Sequence, residues 1–207
     1  MEAYSLHEIM HSGGITLYFL IACSILLLTV IIERSVFFIA NNLNLKQFTQ
    51  KILKYLKDGK YYDALEQCRQ NKSIISKIML NILEKRTLSK EKIESAVEID
   101  ITETMMSFEK RIPVMGTLAV ISPFIGLSGT VLGIMQAFAD IAAQGNAGQS
   151  AVAKGVSEAL IATAAGLFVA IPASIFFNYF KSRCNTIKMQ TMIMAAKLIE
   201  FVTGESK

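Results

Sequence analysis

Three long stretches without a single Asp, Glu, Lys or Arg constrain this chain more than any other feature. The first follows Glu8 and lasts to Ile32, and its densest apolar part, residues 15–32, makes about 27 Å of helix, enough to cross a bilayer. The second is residues 112–139 and the third residues 159–180, each longer than the roughly 20 residues that a hydrocarbon core demands. With 52% of residues apolar and only 18% charged, the chain reads as an all-α membrane protein of three transmembrane helices. That composition excludes a disordered, collagen-like or disulfide-built chain. Cys23, Cys68 and Cys184 are far apart and lack histidine neighbours at ligand spacing, so neither a disulfide framework nor a zinc site is expected.

A cleavable leader is not expected at the first run. The residues before it carry Glu2 and Glu8 but no Lys or Arg, and no small-residue cleavage pattern ends it. Of the 21 Lys and Arg residues, 15 lie between Arg34 and Arg111 and 5 from Lys181 onward, against Lys154 alone between the second and third runs. The positive-inside rule then predicts an outer segment 1–14, a span 15–39, a cytoplasmic region 40–111, a span 112–139, an outer connection 140–158, a span 159–180 and a cytoplasmic tail 181–207.

Within 40–111, apolar residues recur at helical spacing over Phe48, Ile52, Leu53 and Leu56, and again over Ile74, Ile75, Ile78, Met79, Ile82 and Leu83, predicting short amphipathic helices. Asp58-Gly59 should break the first of them. Ser89 with Glu91 marks the start of a longer helix through Ile93, Val97, Ile101, Met105 and Phe108, expected to run on into the second span. Apolar positions from Ile187 to Ile199 likewise predict that the third span continues past Lys181 as a helix, so that long helical extensions gather on the cytoplasmic side.

The second and third spans are rich in small and hydroxyl residues, unlike the Leu- and Ile-rich first. Ser122, Gly126, Gly129, Thr130 and Gly133 crowd one face of the second, and Ala159, Thr163, Gly166, Ala170, Ser174 and Asn178 fall within about 60° of Thr163 on the third. Small residues let helix backbones approach where lipid supplies no hydrophobic drive, so these faces mark interfaces. A tight helix pair accounts for the glycines; the polar groups of Thr130, Thr163 and Asn178 need a partner or water, although a hydroxyl also bonds its own i−4 carbonyl. Pro123 and Pro172 each free a carbonyl, at Ala119 and Phe168, and predict kinks. Glu158 admits two readings: an interfacial carboxylate paired with Lys154, or a polar gate at a pore mouth. No Asp, Glu, Lys, Arg or His lies in the central part of any span, so a proton path through this chain needs its titrating group from another.

The stretch Pro123-Phe-Ile-Gly-Leu-Ser-Gly-Thr-Val-Leu-Gly-Ile-Met135, followed by Gly155-Val-Ser-Glu-Ala-Leu-Ile-Ala-Thr-Ala-Ala-Gly-Leu-Phe-Val-Ala-Ile-Pro-Ala173 and Asn178, resembles the MotA/TolQ/ExbB proton channel family, on its ExbB/TolQ branch. Lys154 and Leu132 depart from the family pattern, where proline and an aromatic are usual. The resemblance implies a homopentamer in a bacterial inner membrane, N-terminus periplasmic and C-terminus cytoplasmic, whose second and third helices line a pore. An ExbD/TolR-like single-span protein carrying a membrane Asp would occupy it, and a TonB/TolA-like protein would take up force drawn from the proton gradient. On that reading Thr130, Thr163 and Glu158, with Ser122, Ser174 and Asn178, line the proton pathway, while Gly126, Gly129, Gly133, Gly166, Pro123 and Pro172 pack the helices.

No nucleophile–base pair, phosphate loop or metal cluster points to an enzyme, and no cofactor or nucleic acid is expected. His7 and His11 stand at i, i+4 but isolated in a polar tail. The rival readings are a passive membrane scaffold and a self-sufficient channel, the latter disfavoured by uncharged spans and the lack of an inverted repeat.

Overall fold

The computed structural model describes residues 14–144 and 148–204, apart from the side chains of Gly14, residues 140–141 and 143–154, and Glu158. Among the described residues seven helices follow one another: α1 (Gly14–Ala40), α2 (Leu45–Lys57), α3 (Tyr61–Gln70), α4 (Ile74–Glu84), α5 (Lys90–Glu109), α6 (Ile112–Gln144) and α7 (Gly148–Val202). Among the described residues there is no strand. Three of the described helices are long and apolar enough to cross a membrane, those that carry the three uncharged runs. The chain divides into two compact units, one of residues up to Ile32 with Arg111–Tyr179, the other of Glu33–Lys110 with Phe180–Lys207.

In the first unit α1 buries Leu17, Leu20, Cys23, Leu27, Val30 and Ile31 at three- and four-residue intervals, the single stripe of a helix packed on one side. Its other faces expose Ile15, Phe19, Ile25, Leu28 and Ile32, as α6 exposes Phe124, Val131 and Met135 and α7 exposes Phe168, Ile171 and Ile175. So much uncovered apolar surface on long uncharged helices suits lipid and would not suit water.

The second unit packs as a water-soluble domain does. Successive helices α2 to α5 lie against one another around fully buried Ile52, Ile75, Ile78, Met79, Ile82, Leu83 and Ile93. Asn44 caps α2 by accepting from the Gln47 backbone N–H (3.2 Å), and Ser73 caps α4 by accepting from that of Ile75 (3.4 Å). The Tyr61 hydroxyl donates to the Leu83 carbonyl at the end of α4, with the Arg86 guanidinium 3.9 Å above its ring, and Asn81 donates to Asp100 (2.9 Å) to join α4 to α5. Helix α3, which no apolar run announced, buries only Ala64 and Cys68, one turn apart.

Buried Arg34 of α1 pairs with its neighbour Glu33 and donates to the Ser107 carbonyl (3.1 Å) at the C-terminal end of α5, where the helix dipole favours a cation. Beside it Phe37, Phe38, Phe108 and Phe180 form an aromatic layer, Phe108 edge-on to both Phe37 (5.2 Å) and Phe38 (5.4 Å), and Phe38 5.2 Å from Phe180.

Asp58 ends α2, and Gly59 takes the left-handed φ of 71° that the turn requires. Ser89 starts α5, but that helix does not continue into the second span. It stops at Glu109, Arg111 adopts a φ of 67°, and α6 begins at Ile112. Pro113 explains the break: it has no N–H to give the Glu109 carbonyl, whereas in the first turn of α6 that N–H is not needed. Helix α7, by contrast, runs from Gly148 to Val202 without interruption through Lys181, Arg183 and Lys188, passing Pro172 on the way.

Candidate functional site

The site is the pair formed by α6 and α7 in the first unit. Contacts step in opposite directions along the two helices: Gly116 faces Phe177, Gly126 faces Thr163 and Gly166, Gly133 faces Ala159, and Gly155 faces Ala137. The pair is therefore antiparallel. Contact from Gly116 to Ala137 covers about 32 Å of helix, the thickness of a hydrocarbon core.

Approach is closest at Gly126 and Gly166. A Cβ added to Gly166 would stand 2.5 Å from the Ser122 carbonyl oxygen, and one added to Gly126 would stand 2.8 Å from that of Ala162 and 2.9 Å from the Thr163 Cα. Backbone meets backbone there, which only glycine permits. At Gly129 the added atom would meet Ala162 at 2.7 Å and Thr16 at 3.1 Å, so α1 closes on the same seam. Gly116 and Gly155, which the sequence reading did not single out, belong to the seam equally; they continue the small-residue spacing of their helices.

The small-residue strip of the third span divides. Ala159 and Gly166 are buried in the seam together with Ala162, and Val169, Ala170 and Ala173 are buried as well, whereas Ser174 and Asn178 are exposed, the Asn178 amide donating to the Ser174 carbonyl (2.9 Å). At about 100° per residue the buried stripe centres roughly 60° to one side of Thr163, which leaves Ser174 and Asn178 on the flank. Ser122, which the resemblance places on the proton pathway, is fully buried one turn before Gly126, with its carbonyl oxygen against Gly166.

Thr130 and Thr163 lie on one flank of the hairpin within about a turn of each other, as their offsets from the seam and the antiparallel register require. It is the flank opposite Thr16 of α1. Thr130 is half-buried and donates to the Leu127 carbonyl (2.7 Å), the local bond that Thr29, Thr117 and Ser128 also make. The Ser122 and Thr163 hydroxyls make no such bond; both oxygens are buried and neither has a partner among the described residues. A buried unpaired hydroxyl costs about 1–3 kcal/mol. The Glu158 side chain and its pairing with Lys154 lie outside the described residues, as do His7 and His11.

Residues 70–192 match the MotA/TolQ/ExbB proton channel family. The chain is 45% identical over 93 residues to the Tol-Pal system protein TolQ of Haemophilus influenzae, 45% of this chain and 41% of that protein. It is 33% identical over 144 residues to the biopolymer transport protein ExbB of Pseudomonas putida, 70% of this chain and 41% of that one. The putative biopolymer transport protein ExbB-like 3 of Synechocystis sp. is 31% identical over 175 residues, 83% of this chain and 82% of that protein. The match thus spans about two-fifths of the TolQ and ExbB chains and most of the Synechocystis one. An antiparallel glycine hairpin of membrane length, carried on the segment that matches, makes this chain a membrane protein of the MotA/TolQ/ExbB proton channel family.

Proposed function

We propose that the chain is the channel-forming subunit of a proton-driven motor in a bacterial inner membrane, assembled as a homopentamer with the α6 and α7 hairpins around a central pore. The N-terminus is periplasmic and the C-terminus cytoplasmic, and the helices beyond the spans form cytoplasmic extensions. The observation that carries this reading is the flank of the hairpin away from α1, where Thr130 and Thr163 stand near one level of three spans that hold no Asp, Glu, Lys, Arg or His at mid-membrane. Hydroxyls can pass or orient protons but cannot store them across a pH gradient, so the titrating acid belongs to a second protein. An ExbD/TolR-like single-span partner inside the pore would supply it, and a TonB/TolA-like protein would carry force outward. The chain itself is no enzyme and needs no cofactor.

The test is Thr130→Val with Thr163→Val in the intact complex. Gradient-dependent work should fall below about a tenth while the mass of the purified assembly is unchanged, because valine keeps the shape and removes the hydroxyl. Full retained work would favour the other reading, a scaffold whose helices only assemble a complex. The backbone contact between Gly126 and Gly166 supports that alternative, since it serves assembly whether or not protons pass.

A further inference from the structure

Within the second unit a cavity of about 130 Å³ opens where α1 gives way to α2, lined by the turn from Asn41 to Lys46 and by Arg183 and Gln190 of α7. Its polar groups are of one kind. Lys46 and Arg183 bring two cations, Asn42, Asn44 and Gln190 bring side-chain amides, and no acidic residue lines it. Lys46 and Arg183 form no ion pair within the described residues, whereas Lys181 and Arg34, close by in sequence or space, are paired with Glu109 and Glu33. Two unpaired cations converging on a small amide-lined cavity describe a receptor for a compact anion.

The height of the cavity identifies the anion. Phe38, which lines it, belongs to the aromatic layer with Phe108 and Phe180, and Phe180 is the last residue of the third uncharged run. Asn41 follows Phe38, and Arg183 follows Phe180, by three residues each, about 4.5 Å of helix. Phospholipid headgroups begin at that depth below the apolar spans, and basic pockets at the ends of membrane helices attract the anionic ones. We propose that this cavity binds the phosphate of an anionic phospholipid, held by Arg183 and Lys46 and by amide donors from Asn42, Asn44 and Gln190. It would fasten the α1–α2 turn and α7 to the same headgroup. Nothing in this assignment requires proton conduction, so it stands or falls apart from the motor reading.

The experiment counts lipids retained by the purified complex, without a gradient, after reconstitution into nanodiscs of phosphatidylcholine with about 30% phosphatidylglycerol and extraction for native mass measurement. Wild type should retain phosphatidylglycerol about tenfold over its share of the bilayer, and Lys46→Gln with Arg183→Gln should lose most of that enrichment. Lys54→Gln with Lys57→Gln, which removes equal charge from the far end of α2, should keep it. Lys46→Arg with Arg183→Lys should also keep it, which guards against a variant that merely misfolds. Equal loss in the Lys54 and Lys57 variant would mean diffuse attraction rather than a site and would overturn the proposal. Abolition of the enrichment by 10 mM inorganic phosphate on wild type would assign the cavity to a free anion and overturn the lipid. No preference over phosphatidylcholine in wild type would do the same.

Discussion

Where α6 meets α7 the groups in contact are Gly126, Gly166, Ala159 and Ala162, backbone against backbone; where α4 is covered by its neighbours they are Ile75, Ile78, Met79, Ile82 and Leu83. Both seams are close-packed, but different forces fill them. In water a large aliphatic side chain contributes about 1.5–3 kcal/mol by leaving solvent, so α2 to α5 are held by bulk inside a shell of Lys, Glu and Gln. In lipid the same side chain gains nothing by moving from one apolar surrounding to another, and contact distance is what remains to be gained. The hairpin therefore tolerates no added atom, and the helical layer tolerates no missing one.

Gly166→Leu tests this contrast with the largest expected effect. The new side chain begins 2.5 Å from the Ser122 carbonyl oxygen, on a helix whose own backbone blocks retreat. The hairpin should open and the proposed oligomer should be lost from detergent extracts, read by size-exclusion mass. In the other unit Ile82→Ala, at a fully buried position, should cost about 2–5 kcal/mol through the cavity it leaves, read by thermal melting of the second unit's helices. The opposite exchange should be mild: Ala162→Gly in the hairpin removes little that packs, and an oligomer as fragile in this variant as in Gly166→Leu would contradict the account.

A smaller effect separates the units by pH. Burial pushes the Cys68 thiol up to about 12, and burial with the Glu109 carboxylate pushes that of Cys184 up to about 11, both from an ordinary value of 9.0. At pH 8 the thiolate fraction of Cys184 should be about 100-fold below that of an open thiol, with a matching drop in its rate of alkylation. Stability carries the same sign. From about pH 9 upward the unfolded chain releases thiol protons that the folded chain retains, so stability declines as pH rises toward 11 and is indifferent to these groups below 9. The second unit of Cys68→Ala with Cys184→Ala should melt with a flatter alkaline profile than wild type. Parallel profiles would mean that neither thiol is kept from water.

The same contrast explains what could be read from sequence. Uncharged length is a one-dimensional property, so three spans were legible, and so was the break at Asp58-Gly59, where composition and conformation coincide. The strip of small residues on α7 was legible as an interface but not in its aim. Phases counted from Thr163 centre the strip on that residue, whereas the buried stripe turns about 60° away because Gly126 and Ser122 of α6 set where contact is closest. Only the partner helix could supply that angle. The stop between α5 and α6 had a local signal in Pro113 that the apolar periodicity from Ile93 to Phe108 masked. The seat of Arg34 on the end of α5 joins residues more than seventy positions apart, and no periodicity encodes it.

Ser122 offers the smallest effect and the sharpest division between the two kinds of packing. Its oxygen is fully buried and unpaired among the described residues, while the neighbouring backbone is pressed onto Gly166. Ser122→Ala removes the hydroxyl and keeps the Cβ. If α6 and α7 bury that oxygen for good, the variant should gain about 1 kcal/mol in resistance to denaturant, because an unpaired polar group has been deleted without leaving a space for a side chain to collapse into. Ser76 in the other unit has the opposite bookkeeping: it too is fully buried, but its hydroxyl donates to the carbonyls of Asn71 (2.8 Å) and Ser73 (2.6 Å), and Ser76→Ala should lose about 1 kcal/mol. A loss at Ser122 as well would mean that the hydroxyl finds a partner when copies assemble or when the hairpin opens during its work, and the hairpin would then be a moving part instead of a fixed wall.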